Sequence, residues 1–251
     1  MNDHTLFVKP CQSADHCLLH LDGVIREVEG AKQQKLRLLD GVSWGLQQGE
    51  RVAVLAANRA EADALLACSA GVVPVQAGAV TINAHVSWPL GQPKALVAAL
   101  TARQNAVFLQ RIYGEKSRRS QQLDLICQLS DLDDGFFDQP LRSFNGSMKS
   151  RFRLALSLAF DFDVLMVPKL DAWSYRATSN RARRFQAAFE AATLGKPLLV
   201  SHPDPAFQDA YCSRAVVLEA GRIVFEGDLP ACRAWQEDRK QQRRSQAGVS
   251  Q

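Results

Sequence analysis

Three stretches of the chain carry residues whose type and spacing could do chemistry. The first, VAVLAANRAEADALL at 52–66, runs from an apolar strand through a short polar loop into a helix. That is the outline of a phosphate-binding loop, where glycines turn successive backbone N–H groups onto the phosphates, a lysine adds positive charge and a hydroxyl holds magnesium. Neither glycine nor lysine occurs in it; the ionisable residues are Arg59, Glu61 and Asp63. The second stretch holds Cys11, His16, Cys17 and His20. The two histidines are one helical turn apart, but the spacing matches no established zinc pattern and the region reads partly as strand, so no metal site is expected. The third is the basic run Arg176, Arg181, Arg183 and Arg184, with a second at Arg239 to Arg244. Such runs meet an anionic polymer, phospholipid headgroups or an acidic partner. More often they form the wet face of a helix, here opposite Phe185, Phe189 and Ala192.

Magnitudes bear on the first stretch. Two unit charges about 4 Å apart interact by roughly 4 kcal/mol at an effective dielectric of 20, and micromolar affinity amounts to about 8 kcal/mol in all. Exchanging a loop lysine for a carboxylate therefore weighs heavily on any triphosphate. Glu61 and Asp63 also fall in the expected first turn of the helix, where the macrodipole favours negative side chains.

The elements that must position these residues follow from the hydrophobic pattern. At 251 residues and 47% hydrophobic, the chain can bury one large α/β core. Its formal charge of +4 is too modest for a dedicated nucleic-acid binder. Six scattered cysteines read as reduced cytosolic thiols, and the N-terminus lacks a signal peptide's apolar core. Residues 64–93 contain no charged side chain, yet Gly71, Pro74, Gly78 and Pro89 interrupt them too often for a membrane span. LLHLDGVIREVE and LRLLDGVSWGLQQGE alternate as strands, VAVLAA and DVLMVP read as buried strands, and residues 95–160 have helical periodicity. SNRARRFQAAFEAATLG is a helix capped by Ser179 or Asn180, PLLVSH returns to strand, and AVVLEAGRIVFEG is a hairpin turning at Ala220 and Gly221. Alternation of this kind favours a mostly parallel sheet wrapped by helices.

An ordered series of stretches then resembles the ATP-binding subunits of ATP-binding-cassette (ABC) exporters, most closely those exporting capsular and related surface polysaccharides: GERVAV, SWPLG, LT with Asn105, RIYG, MKSR, ALSLA, VSH and AVVLEAG. The resemblance spans about Leu18 to Glu226 and implies a P-loop NTPase-like cassette with an N-terminal antiparallel β part and a helical subdomain. Laid on the family's loop, similar to GRNGAGKST, positions 56 to 64 match at Asn58 and Ala60, with Arg59 and Glu61 in place of glycine, Ala62 in place of lysine and Asp63 in place of the magnesium-binding serine. Pro168 and Lys169 stand where the family has its magnesium aspartate and water-orienting glutamate. Val97 replaces the γ-phosphate-sensing glutamine, and Val28 falls where an aromatic would stack on adenine. Asn145, Gly146, Ser147 and Met148 partly match the signature segment, which presents N–H groups from a helix start. His202 matches the switch histidine.

These departures lead us to expect a catalytically degenerate cassette: a pseudo-ATPase rather than an enzyme, taking no cofactor although the family uses ATP and magnesium. It would be a structural or regulatory partner at the cytoplasmic face of the inner membrane. The resemblance implies a permease partner that docks near Leu100, Thr101, Asn105, Arg111 and Tyr113, or a core role for the same helix. It also implies a homodimer, or a heterodimer with a competent subunit. The expected divisions are a polar leader at 1–16, the cassette at 17–227 with its helical subdomain at about 94–160, and a basic polar tail at 228–251. Two alternatives stand beside this reading: a genuine ATPase whose site is rebuilt around Arg59, Lys169 and His202, and a free-standing cytosolic scaffold or glycan-binding regulator.

Overall fold

The computed structural model describes residues 17–30, 34–132 and 134–248, with side chains as far as Gln242 other than that of Asp134. In chain order the elements are β1 (Cys17–Glu29), β2 (Lys35–Gln47), β3 (Arg51–Ala56), α1 (Arg59–Ser69), β4 (Ala77–Ile82), α2 (Ala102–Tyr113), α3 (Arg119–Ser130), α4 (Asp134–Phe137), α5 (Gly146–Ala159), β5 (Leu165–Val167), α6 (Asn180–Thr193), β6 (Leu198–Val200), α7 (Pro205–Tyr211), β7 (Arg214–Glu219), β8 (Arg222–Asp228) and α8 (Leu229–Gly248). They form two compact units, one of residues up to 84 together with 197 onward and the other of residues 85–196.

In the first unit an antiparallel sheet of order β2-β1-β4 precedes a mixed sheet in which β6, β3, β7 and β8 lie side by side. β3 runs parallel to both β6 and β7, and β8 closes on β7 as an antiparallel hairpin. Val52 to Leu55 are all buried, which explains their unbroken apolar run: a strand flanked by parallel neighbours has no wet face. α1 packs Leu65 and Leu66 wholly out of water, each contributing about 2 kcal/mol. The β7–β8 turn is Ala220 and Gly221, both with positive φ (48° and 75°), as a two-residue hairpin loop requires.

The segment after Asp228, expected as a basic polar tail, forms α8. Its apolar residues lie at a three-residue step. Leu229 and Cys232 are buried, and Trp235 stacks on Phe225 with ring centroids 5.5 Å apart. Cys17 is disulfide-bonded, so the reading of six reduced thiols fails at that position, while Cys68, Cys127, Cys212 and Cys232 form no disulfide.

The second unit is mostly helical. A capping box starts α2, with Thr101 and Gln104 satisfying each other's backbone N–H groups. Ser179 caps α6 by accepting from the Ala182 N–H. Trp88, Tyr113, Phe160 and Phe162 form an aromatic cluster, with Trp88 and Tyr113 edge to face at 4.9 Å. Asp131, in the left-handed conformation that ends α3, accepts from Arg181 at 2.7 Å and from Arg184. The first basic run thus supplies two arginines to a helix junction. Among the described residues no helix is long and apolar enough to cross a membrane.

Candidate functional site

β3 ends at Ala56 and α1 begins at Arg59, so two residues, Ala57 and Asn58, carry the chain from strand to helix. Arg59 to Ala64, the greater part of the span matched to a phosphate loop, are already helical. Asn58 is the N-cap: its side chain accepts from the Ala60 N–H at 3.0 Å, and its carbonyl accepts from the Glu61 N–H at 3.2 Å. The amides that would face an anion are therefore largely engaged inside the helix start.

The two carboxylates are held differently. Glu61 is buried, accepting from Asn58 Nδ2 and from the Gly221 N–H at the β7–β8 turn, both at 3.2 Å. Asp63 pairs with Arg59 at 3.2 Å and accepts from Ser201 Oγ at 3.3 Å. Only Glu61 lies in the first turn, so the expectation that both carboxylates sit there holds for Glu61 alone. Asp63 is placed by its cation and hydroxyl partners.

A cleft of about 520 Å³ opens at the C-terminal ends of β3 and β6, lined by Arg59, Ala62, Ser201, His202, Arg233 and Lys240 among others. Its position, beyond the carboxyl ends of parallel strands, is where open α/β sheets hold ligands, and its volume suits a small molecule. The structure thus brings Arg59, Ala62 and His202 together, with Asn58, Glu61 and Asp63 at the rear of the same helix start. His202 is buried, its ring stacked on Phe207 at 4.3 Å, with Nδ1 accepting from the Asp204 N–H at 3.2 Å. Lys240 pairs with Glu237 and Arg233 with Asp209, so each cation at the rim already has a carboxylate. The sequence reading missed Ser201, Gln208, Arg233 and Lys240. The signal for the last two was the spacing of Leu229, Cys232 and Trp235, which makes the polar tail a helix with one apolar side.

The remaining candidates lie in the 85–196 unit. Val97 is exposed, and its backbone is pinned by Asn105, whose Oδ1 accepts from the Val97 N–H at 2.8 Å and whose Nδ2 donates to the Val97 and Thr101 carbonyls. Asn105 is itself buried, and Tyr113 belongs to the aromatic cluster, so of the docking candidates these two serve the interior. Leu100 and Arg111 are exposed, joined by Phe108 and Ile112 at 45% and 54% exposure. Asn145 caps α5 through Met148 N–H at 2.9 Å, with Gly146 and Ser147 exposed at the helix start. Pro168 and Lys169 follow β5, where Lys169 borders a cleft of about 240 Å³ with Ser150 and Arg153. Among the described residues no three His, Cys, Asp or Glu side chains group to hold a metal; Cys11 and His16 lie outside those residues.

No family model matches the chain. Solved structures place its fold. A post-hydrolysis ATP-binding cassette, MJ0796, bound to ADP and Pi, aligns over 84% of this chain and 98% of its own with a TM-score of 0.62 at 15% identity. The ATP-binding subunit of an ABC transporter aligns over 88% and 93% with a TM-score of 0.66 at 16% identity. The architecture is that of an ABC nucleotide-binding cassette, with the P-loop NTPase fold. Sequence relatives narrow the class. The chain is 29% identical over 192 residues to the ATP-binding protein BexA of Haemophilus influenzae, covering 76% of this chain and 86% of the relative. It is 28% identical over 196 residues to the capsule polysaccharide export ATP-binding protein CtrD of Neisseria meningitidis serogroup B, with the same coverage. To the polysialic acid transport ATP-binding protein KpsT of Escherichia coli it is 26% identical over 180 residues, covering 71% and 78%. The chain is a homologue of the ABC ATP-binding subunits of capsule and polysaccharide export systems.

These relatives correct two expectations. The chain was read as no enzyme and as taking no cofactor, on the strength of the residues at 59 to 63, 168 and 169. Each of these relatives, matched over most of its length, is an ATP-binding protein, one of them of polysialic acid transport and one of capsule polysaccharide export. The departures change which atoms stand near the cleft.

Proposed function

We propose that this chain is the ATP-binding cassette subunit of a surface-polysaccharide exporter, and that its nucleotide contacts come from side chains lining the cleft rather than from a glycine loop. The cleft beyond β3 and β6, bordered by Arg59 and His202, carries the reading. With the α1 amides engaged in the helix start, a phosphate is met by the Arg59 guanidinium, by the His202 imidazole and by Lys240 at the rim. Both of those cations are paired with a carboxylate, so the phosphate has to displace one. Binding is accordingly weak, with a Kd nearer to about 1 mM than to 1 μM.

The subunit works at the cytoplasmic face of the membrane, docked on a permease through the exposed Leu100, Phe108, Arg111 and Ile112 of α2 and the turn before it. Contiguous apolar side chains in water favour that reading. It acts as one of two cassettes, its own copy or another, and lends the start of α5, Asn145 to Met148, to the facing site; the exposure of Gly146 and Ser147 supports this.

The test is affinity purification of the tagged chain from detergent-solubilised membranes of its own host, followed by an ATPase assay on the recovered complex. Recovery of a polytopic permease, with turnover that falls when Arg59→Ala is introduced, supports the proposal. A chain recovered without membrane components contradicts it.

A further inference from the structure

The histidine of the cleft is held by a chain of contacts that begins on the C-terminal helix. Arg233 of α8 donates through Nη2 to Gln208 Oε1 at 3.0 Å and to the Pro205 carbonyl at 3.1 Å, and through Nη1 to Asp209 Oδ1 at 2.6 Å. Gln208 is buried, and its Nε2 donates to the His202 carbonyl at 2.8 Å. The two ends of one amide are thereby committed in opposite directions, the oxygen to α8 and the nitrogen to the residue that faces the cleft. This fixes the orientation of the amide, because a flipped Gln208 would set its NH2 against the guanidinium and its oxygen against a carbonyl. The His202 ring stacks on Phe207, also on α7, and its Nδ1 accepts from the N–H of Asp204, the N-cap of α7. These contacts all come from α7 or its cap, and Arg233 grips three acceptors of that helix at once.

We propose that Arg233 is a positioning residue for His202, acting through Gln208, so that the seating of α8 on the sheet sets the geometry of the nucleotide cleft. α8 is fastened by Leu229, Cys232 and the Phe225–Trp235 stack. Anything that shifts this helix, including a partner bound to its outer face, is felt at His202 through one guanidinium and one amide. The nucleotide consequence rests on the function proposed above; the mechanical link between Arg233 and His202 does not.

The test uses the full-length chain with isotopically labelled histidine, the His202 signal being assigned by its loss in His202→Gln. Arg233→Ala and Gln208→Glu break the relay at its two links, since a glutamate at 208 still accepts from Arg233 but cannot donate to the His202 carbonyl. Both variants are expected to move the imidazole resonances of His202 while the other histidines stay in place. The double variant is expected to move them no further than the larger single change, the signature of groups acting as a unit, and Arg233→Lys should restore part of the wild-type position. An unmoved His202 signal in a folded Arg233→Ala protein overturns the proposal, as do shifts that simply add. In parallel, ATP binding by Arg233→Ala is expected to weaken about tenfold, on the scale of one charged hydrogen bond. Displaced resonances with ATP bound by neither protein uphold the relay and overturn the nucleotide reading. Unmoved resonances with ATP bound equally well by both do the reverse.

Discussion

Asp63 is the residue on which the cleft's charge turns. Its carboxylate occupies Arg59 at 3.2 Å and takes the Ser201 hydroxyl, so Asp63→Asn frees a cation and removes a repelling charge in one step. Both side chains are more than a third exposed, so the pair itself is worth about 1 kcal/mol or less, and the rest of the effect comes from the removed charge. We therefore expect Asp63→Asn to tighten ATP binding by about tenfold or more, and equilibrium titration of the two proteins checks it. Glu61 has a different task, joining α1 to the β7–β8 turn from a buried position. Glu61→Ala leaves the Gly221 N–H without its acceptor and should lower the stability of the fold by about 1–3 kcal/mol in urea titration. Acid stability is set partly at Asp131, whose carboxyl is held below the ordinary carboxylate range, chiefly by the hydrogen bond from Arg181. A depressed native value means that this contribution is complete above the unfolded value of about 3.9 and is lost as pH falls through the native one. The urea midpoint should accordingly drop on acidification below about pH 4, with a shallower drop in Asp131→Asn.

At the scale of elements, many strands and helices were legible because their signals are local. The unbroken apolar run of β3, the Ser179 cap of α6 and the Ala220-Gly221 hairpin each announce themselves within a few residues. The hairpin gives a direct test, since Gly221 has φ of 75° and an added Cβ would lie 3.1 Å from the Leu38 carbonyl oxygen. Gly221→Ala is expected to cost at least about 1 kcal/mol of stability from the positive φ alone, measured by the denaturation midpoint. Two features were not legible. α8 was read as a polar tail because its composition is so polar that three apolar residues at helical spacing carried little weight. They suffice because the sheet beneath them is already formed, so the helix needs one narrow apolar side rather than a broad one. The cap of α1 was also hidden. The sequence places Glu61 and Asp63 in the first turn of a helix, but alignment to a loop motif obscures that Asn58 caps that helix, which starts at Arg59. Asn58, Arg59, Glu61 and Asp63 thus stand in and beside a helix start, and the partners of the two carboxylates, Ser201 and Gly221, come from elsewhere in the fold.

At the scale of the whole molecule, two units carry separate parts of the proposed work, a ligand cleft in one and an exposed apolar face in the other. Phe108 and Ile112 are spread on that face at a cost in solvation that a partner would recover. Replacing Phe108 by Asp should leave stability within about 0.5 kcal/mol of the parent and abolish co-purification with the permease, which pulldown from membranes measures. The fold and the relatives make the chain similar to ATP-binding subunits of polysaccharide transport, and the function proposed above puts the phosphate contacts on side chains. The measurement that bears most directly on this account is titration of the purified full-length chain with magnesium and labelled ATP, alongside Arg59→Ala and His202→Ala. The account predicts weak, saturable binding by the parent that both substitutions diminish. An absence of saturable binding, or binding indifferent to both residues, would contradict it.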